Sequence, residues 1–228
     1  MQRKIAFGLL WLGFSLYAFF LAPPDQPDTF ELIGAMASGN FDGINPTIIC
    51  LFNLMGVWPL IYTCVLLADG RDQKVPAWPF LAGSMALGAF ALIPYFVFRQ
   101  PNQTFTGKKS WLINRFDSRF TGIVLTITAT ILFTIAIIQG DWFDYVTQFQ
   151  TSRFIHVMSL DFCVLSLLFP AILGDDMARR GWQTSAVFWS VSLVPLFGPL
   201  IYLCIRPPLP ESTDSPAETE PQATPLNA

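Results

Sequence analysis

Long apolar runs constrain this chain more than any other feature. Six of them stand out, over residues 5–22, 48–68, 78–98, 120–139, 154–173 and 184–204. Each is close to the ~20 residues that a helix needs to cross a ~30 Å hydrocarbon layer. The runs lack the strict alternation of barrel strands, and a backbone in lipid must satisfy its own hydrogen bonds, so helices are the predicted element. Only 13% of residues are charged, against about 25% in an ordinary soluble domain, and the charges gather between the runs. The expected fold class is an all-α integral membrane protein with six transmembrane helices over residues 1–208, followed by a tail over 209–228.

The tail is rich in Pro, Thr, Ser and Glu and is expected to be disordered. Its acids account for the net charge of −3, so the body is close to neutral and no nucleic-acid partner is expected. The first run follows "MQRK" but lacks a small-residue cleavage pattern, so a retained anchor is predicted. Cys50, Cys64, Cys163 and Cys204 all fall inside apolar runs without C-x-x-C spacing and read as small core residues.

Orientation is balanced if all six runs cross. An inside N-terminus then places Arg3, Lys4, Arg71, Lys74, Arg153 and Arg206 on one side. Arg99, Lys108, Lys109, Arg115, Arg119, Arg179 and Arg180 fall on the other. The positive-inside rule does not decide between six and seven.

The two halves echo each other. "DTFELI" at Asp28 matches "DWFDYV" at Asp141, an offset of 113 that also takes Phe41 to Phe154 and Cys50 to Cys163. Further on the offset becomes 107, taking Asp69 to Asp176, Tyr95 to Tyr202, Arg99 to Arg206 and Pro101 to Pro208. A duplication with halves 1–101 and 102–208 explains this, and so does chance alignment of Phe-rich apolar chains. With three crossings per half, a duplication makes an inverted repeat, an arrangement common in transporters.

Few residues in the runs carry chemistry. Asp161 lies about two turns into the fifth run, where a carboxylate is expected to face protein or water and to have a partner. His156 is about 140° away around a helix, so the predicted partner sits on another helix, with Asn53 a candidate. Asp161 reads either as a buried polar contact between helices or as a group that handles protons or ions. His156, the single histidine, reads as a hydrogen-bonding group near the interface. It is also a possible axial ligand to a pigment, chlorophyll or haem, although one histidine cannot make a bis-His site.

"GDDMARRGW" at 174–182 lacks the further acids of magnesium–diphosphate motifs and is expected to be an ion-paired loop. "KKSWLINRFDSRF" at 108–120 reads as an amphipathic interfacial helix. Trp111, Leu112, Phe116 and Phe120 are placed in the headgroup layer, and Lys108, Lys109, Arg115 and Arg119 face anionic lipid or a protein partner. Phosphate-loop, zincin, nucleophile-elbow and dinucleotide motifs do not occur in the sequence.

Taken together, "DGRDQKVPAWPF" at 69–80, "SRFIHVMSLDF" at 152–162 and "DDMARRGW" at 175–182 resemble a family of multi-pass membrane proteins. That family is shared by cyanobacteria and plant plastids and has no assigned activity. The resemblance covers most of 28–208. It implies a thylakoid or plasma membrane and support of photosynthetic complexes, and it carries over no site residues. Two expectations result. The first is a non-enzymatic accessory or assembly protein of a bioenergetic membrane, binding protein, lipid or pigment, with membrane-protein partners or as a homodimer. The second is a small inverted-repeat transporter or channel that uses Asp161.

Overall fold

The computed structural model describes residues 2–211. Residues 212–228, on which most of the expected disordered tail falls, lie outside the described residues. Leu209, assigned to that tail, is buried, and its backbone N–H bonds Asp117 Oδ2 at 3.0 Å. The body therefore extends past residue 208.

Every described element is helical. Helix α1 (Gln2–Leu16) continues through a π-helical turn (Tyr17–Leu21). Next come α2 (Thr29–Ser38), α3 (Pro46–Asp69) and the short pair α4 (Trp78–Leu87) and α5 (Ala89–Phe98). A seven-residue helix, α6 (Trp111–Asp117), leads into the second half. That half comprises α7 (Arg119–Gln139), α8 (Trp142–Thr151), α9 (Arg153–Leu168), α10 (Pro170–Arg179), α11 (Ser185–Leu193) and α12 (Phe197–Ile205). Local chemistry sets the boundaries. Asn45 and Ser118 accept the N–H groups of Thr47 and Phe120 at the starts of α3 and α7, and Gly39 ends α2 at φ 79°.

Four helices, not six, are long and apolar enough to span a membrane: Gln2–Leu21, Pro46–Asp69, Arg119–Gln139 and Arg153–Arg179. The third and sixth runs do not cross. At Gly88 the chain takes φ 52° and ψ −129° and doubles back. A methyl group on Gly83 would lie 3.1 Å from Ala91 Cβ, although eight residues of straight helix span ~12 Å. The rings of Phe80 and Tyr95 also approach to 5.7 Å, and both ends of the pair return to Asp69–Gly70. Helices α4 and α5 are thus a hairpin about 15 Å deep, half of a bilayer core. Helices α11 and α12 form a second one. A Cβ on Gly198 would overlap the Val191 carbonyl, and Leu196 holds φ 61° at the tip.

These turns overturn the inverted repeat. The basic ends of α3 and α10 meet where Arg179 Nη1 bonds Asp69 Oδ1 at 2.9 Å. The opposite end of α3 meets the start of α8, where Asn45 Nδ2 bonds Asp144 Oδ2 at 2.7 Å. The second spans of the two halves therefore run in the same direction. Each unit goes out, makes a ten-residue surface helix, returns and dips a hairpin back in, so the units are parallel copies. The offset of 113 maps α2 onto α8 end to end. The packing repeats as well. Helix α1 lies on α5, with Phe14 and Phe90 stacked at 4.4 Å. Helix α7 lies on α12, with Phe133 and Phe197 at 5.3 Å.

With the hairpins in place the charge balance changes. Of 13 basic residues, only Arg153 lies at the end that carries α2 and α8; the other twelve lie at the hairpin-base end. The α2–α8 end carries Asp25, Asp28, Glu31, Asp42, Asp141 and Asp144. Twelve against one now decides the positive-inside rule, and the hairpin-base end is expected inside. In a background without the native cysteines, Glu31→Cys should react with an impermeant maleimide on intact cells, and Lys74→Cys only after permeabilisation. The reverse pattern would refute this topology.

Candidate functional site

The strongest concentration of polar chemistry is at the basic end, where the C-termini of α3, α5, α10 and α12 converge. Asp69 ends α3. Arg99 grips it in a fork, Nε to Oδ2 at 2.8 Å and Nη2 to Oδ1 at 2.6 Å, and the Tyr95 hydroxyl donates to Oδ2 at 2.7 Å. The second unit repeats the set. Tyr202 donates to Asp176 Oδ2 at 2.7 Å, and Arg206 Nη1 reaches the same oxygen at 3.3 Å. Three of the four residue pairs related by the offset of 107 are therefore the three corners of a repeated Asp–Tyr–Arg triad.

Residues that lack a counterpart join the triads. Arg179 bridges Asp69 and Asp176, and Asp175 takes Arg99 Nη2 at 2.6 Å. Arg180 donates to Asp176 at 2.9 Å and to Asp117 of α6 at 2.7 Å. At the offset of 107 the first unit has Ala68 for Asp175, Asp72 for Arg179 and Gln73 for Arg180. The four aspartates balance the four arginines, and all eight residues are buried. Burial alone would push the Asp117 carboxyl up. Arg180, the Leu209 N–H, Lys109 and Arg206 outweigh it and hold the group below its ordinary value. "GDDMARRGW" is thus ion-paired as expected, but as a buried helix end and the hub of the network instead of a loop. Its two acids and two arginines were visible in sequence, but not their burial.

Asp161 marks the second polar point. It is 5% exposed and sits beside the tip of the first hairpin, where Oδ1 accepts the Ala89 N–H at 2.8 Å. It caps the first turn of α5, supplying an acceptor to a backbone donor that lipid could not satisfy. The expected partner is therefore wrong: Asn53 is exposed and donates to its own helix at Ile49 O, 2.8 Å away. A capping backbone N–H has no sequence signature, so side-chain pairing alone could not have found it.

Both nitrogens of His156 are engaged, Nε2 with the Tyr17 hydroxyl and Nδ1 with the Phe149 carbonyl, each at 2.8 Å. Phe149 also stacks on the imidazole at 4.3 Å. A pigment metal would have to displace one of these bonds, so the site does not fit chlorophyll or haem as it stands. The ring instead ties the start of α9 to the end of the first span, beside Arg153 Nε on Pro23 O at 3.0 Å.

The basic segment is only partly the expected amphipathic helix. Ser118 breaks it between α6 and α7. Trp111 is 78% exposed and Phe120 is also exposed, as an interfacial pair should be, but Phe116 packs on the core. Lys109 is tied to Asp117 at 2.9 Å, and Arg115 lies over the Phe120 ring. Lys108 and Arg119 are exposed. Among the described residues, no group of three His, Cys, Asp or Glu side chains is arranged to hold a metal ion.

Comparison with protein-family models, with curated proteins and with solved structures gives no match. The resemblance to the cyanobacterial and plastid proteins gains no support from these comparisons.

Two predictions test the site. Gly88→Ala places a side chain in a glycine-only backbone region, worth ~1–3 kcal/mol of strain, and drives it into Asp161 Oδ2. It should sharply lower the melting temperature in mild detergent. Gly181→Ala, where nothing lies within 4 Å of the added Cβ, should lower it less. In the network, Tyr95→Phe and Tyr202→Phe should each destabilise by about 1–3 kcal/mol through one lost hydrogen bond. Arg179→Gln, which removes the cation that the Asp69 and Asp176 carboxylates share inside a buried site, should cost about 3–5 kcal/mol. Equal effects from all three, read by chemical unfolding, would show that the bridge adds nothing.

Proposed function

We propose that this chain is a non-enzymatic accessory protein embedded in a membrane, a rigid body that binds protein and lipid partners. One observation carries the reading. The acids and bases of its interior bind one another, four aspartates against four arginines, and Asp161 is tied to the hairpin it caps. What faces outward is apolar helix flank, chiefly α1 and α7, and a basic, aromatic face around Lys108, Trp111, Arg115 and Arg119. That is surface for association, with lipid, with another membrane protein or with a second copy of the chain. Nothing in the fold or the comparisons favours a thylakoid or any other particular membrane, and a photosynthetic role rests on the resemblance alone.

A second reading has its own support. Two half-depth hairpins, one with a carboxylate at its tip, are the kind of broken-helix element that lines permeation sites in transporters. In that case Asp161→Asn, which keeps the shape and an acceptor for Ala89, should abolish proton or cation flux without unfolding the protein.

The deciding experiment is mild-detergent purification of a tagged full-length chain from its native membrane. Stoichiometric co-eluting subunits, undisturbed by Asp161→Asn, are expected. A protein that elutes alone, and that in liposomes conducts ions only with Asp161 intact, would overturn the accessory reading.

A further inference from the structure

The duplication supplies an internal control for a binding site. Where the second span of each unit hands over to its hairpin, the surface is hollowed. In the first unit the recess is about 400 Å³ and is lined by Leu67, Gly70, Arg71, Pro76, Ala77 and Trp78, with Lys108, Lys109 and Ser110 closing it from the linker. In the second unit the recess is about 320 Å³, and Gly174, Met177, Gln183, Thr184 and Ser185 line it. Those five are the residues at Leu67, Gly70, Pro76, Ala77 and Trp78 shifted by 107. The fold has therefore made one hollow twice, and the two differ in chemistry. Ala178 replaces Arg71, Ser185 replaces Trp78, and no lysine lines the second recess.

We infer that the first recess binds the headgroup of an anionic phospholipid. The proposal deepens the lipid-binding part of the accessory reading and rests on it. The recess lies at the base of a hairpin that starts at the interface, so its mouth is at headgroup depth. Trp78, 65% exposed, and Leu112, 48% exposed, stand on its rim as interfacial apolar groups. Arg71 is held by its own bond to the Lys108 carbonyl at 2.6 Å and lies 5.1 Å over the Phe105 ring, so its guanidinium is positioned at the recess. Lys109 is partly neutralised by Asp117, which leaves Arg71 and Lys108 as the cations assigned to the phosphate. The basic end is also the one that the charge distribution places inside, where anionic lipid is expected.

The test uses the full-length protein in neutral detergent, with native mass spectrometry and thermal shift against phosphatidylglycerol and phosphatidylcholine. Phosphatidylglycerol should bind preferentially. Arg71→Gln and Lys108→Gln should each weaken the preference about fivefold, and the pair about thirtyfold, at roughly one charge's worth of surface attraction per cation. Arg71→Lys should retain most of it, and unchanged size-exclusion profiles show that the variants are folded. Gln183→Ala with Ser185→Ala, in the neutral recess, should change nothing. Equal binding of the two lipids, or a preference that follows the second recess instead of the first, overturns the proposal. So does stabilisation by inorganic phosphate as large as that by the lipid, which would make a soluble phosphate the ligand. Loss of co-purifying partners with the lipid preference intact would defeat the accessory reading and not this one.

Discussion

The buried network of Asp69, Asp175, Asp176 and Asp117 with Arg99, Arg179, Arg180 and Arg206 is the interaction on which the rest of the structure depends. Lipid tails are as apolar as leucine, so burying apolar side chains gives membrane helices little reason to associate. Close packing and polar bonds must do it instead. Here the backbone approaches where Gly122 meets Leu203, and the aromatic centre of Trp58, Tyr62, Phe96 and Phe169 supplies packing. Neither fixes how the two units sit. The arginine–aspartate bridges do, because a one-turn slip of α10 against α3 would break the Arg179–Asp69 and Arg99–Asp175 pairs in a buried site.

The network also explains the two hairpins. Helices α5 and α12 end at Arg99 and Arg206, and each arginine returns to an aspartate in the last turn of the preceding span of its own unit. A continuous crossing from residue 78 would have carried Arg99 to the opposite end. Turning back at half depth keeps it beside Asp69 but leaves the backbone donors at the tip inside the membrane. The first hairpin answers this with Asp161 from the other unit. The second tip has no equivalent acid, since the offsets lead to Ile48 or Leu54, and it turns through a tight three-residue turn at Leu196, where the Phe197 N–H donates to the Pro195 carbonyl at 2.7 Å. The units have thus diverged at their tips, at their recesses and in the bridging residues that only the second unit carries.

The four spans and the repeat were legible in sequence, because run length and offset are linear properties. The spans begin and end within a few residues of the apolar runs, except that the fifth continues to Arg179. The offsets of 113 and 107 pair elements that hold matching places in the fold, α2 with α8 and the Asp69–Tyr95 contact with Asp176–Tyr202. The hairpins were not legible, since a 21-residue apolar run with three or four Gly and Pro reads the same whether it is kinked and crosses or doubles back. That single ambiguity carried two others with it. It inverted the second unit, and it split the basic residues evenly when they lie twelve against one. The site was legible in part. The Asp–Tyr–Arg repeat pointed to it, whereas the polarity of Asn53 says nothing of its exposed helix face, and the His156 contacts with Tyr17 and Phe149 depend on how the surface helix folds back.

The measurement that tests this account most directly is a double-mutant cycle across the bridge between units. Asp69→Asn, Arg179→Gln and the double variant would be compared by reversible unfolding in detergent. If the network welds two parallel units, the double variant loses clearly less than the sum of the singles, with a coupling on the order of 1–3 kcal/mol. Effects that add to within about 0.5 kcal/mol would mean that the two groups do not meet, and would contradict the parallel arrangement itself.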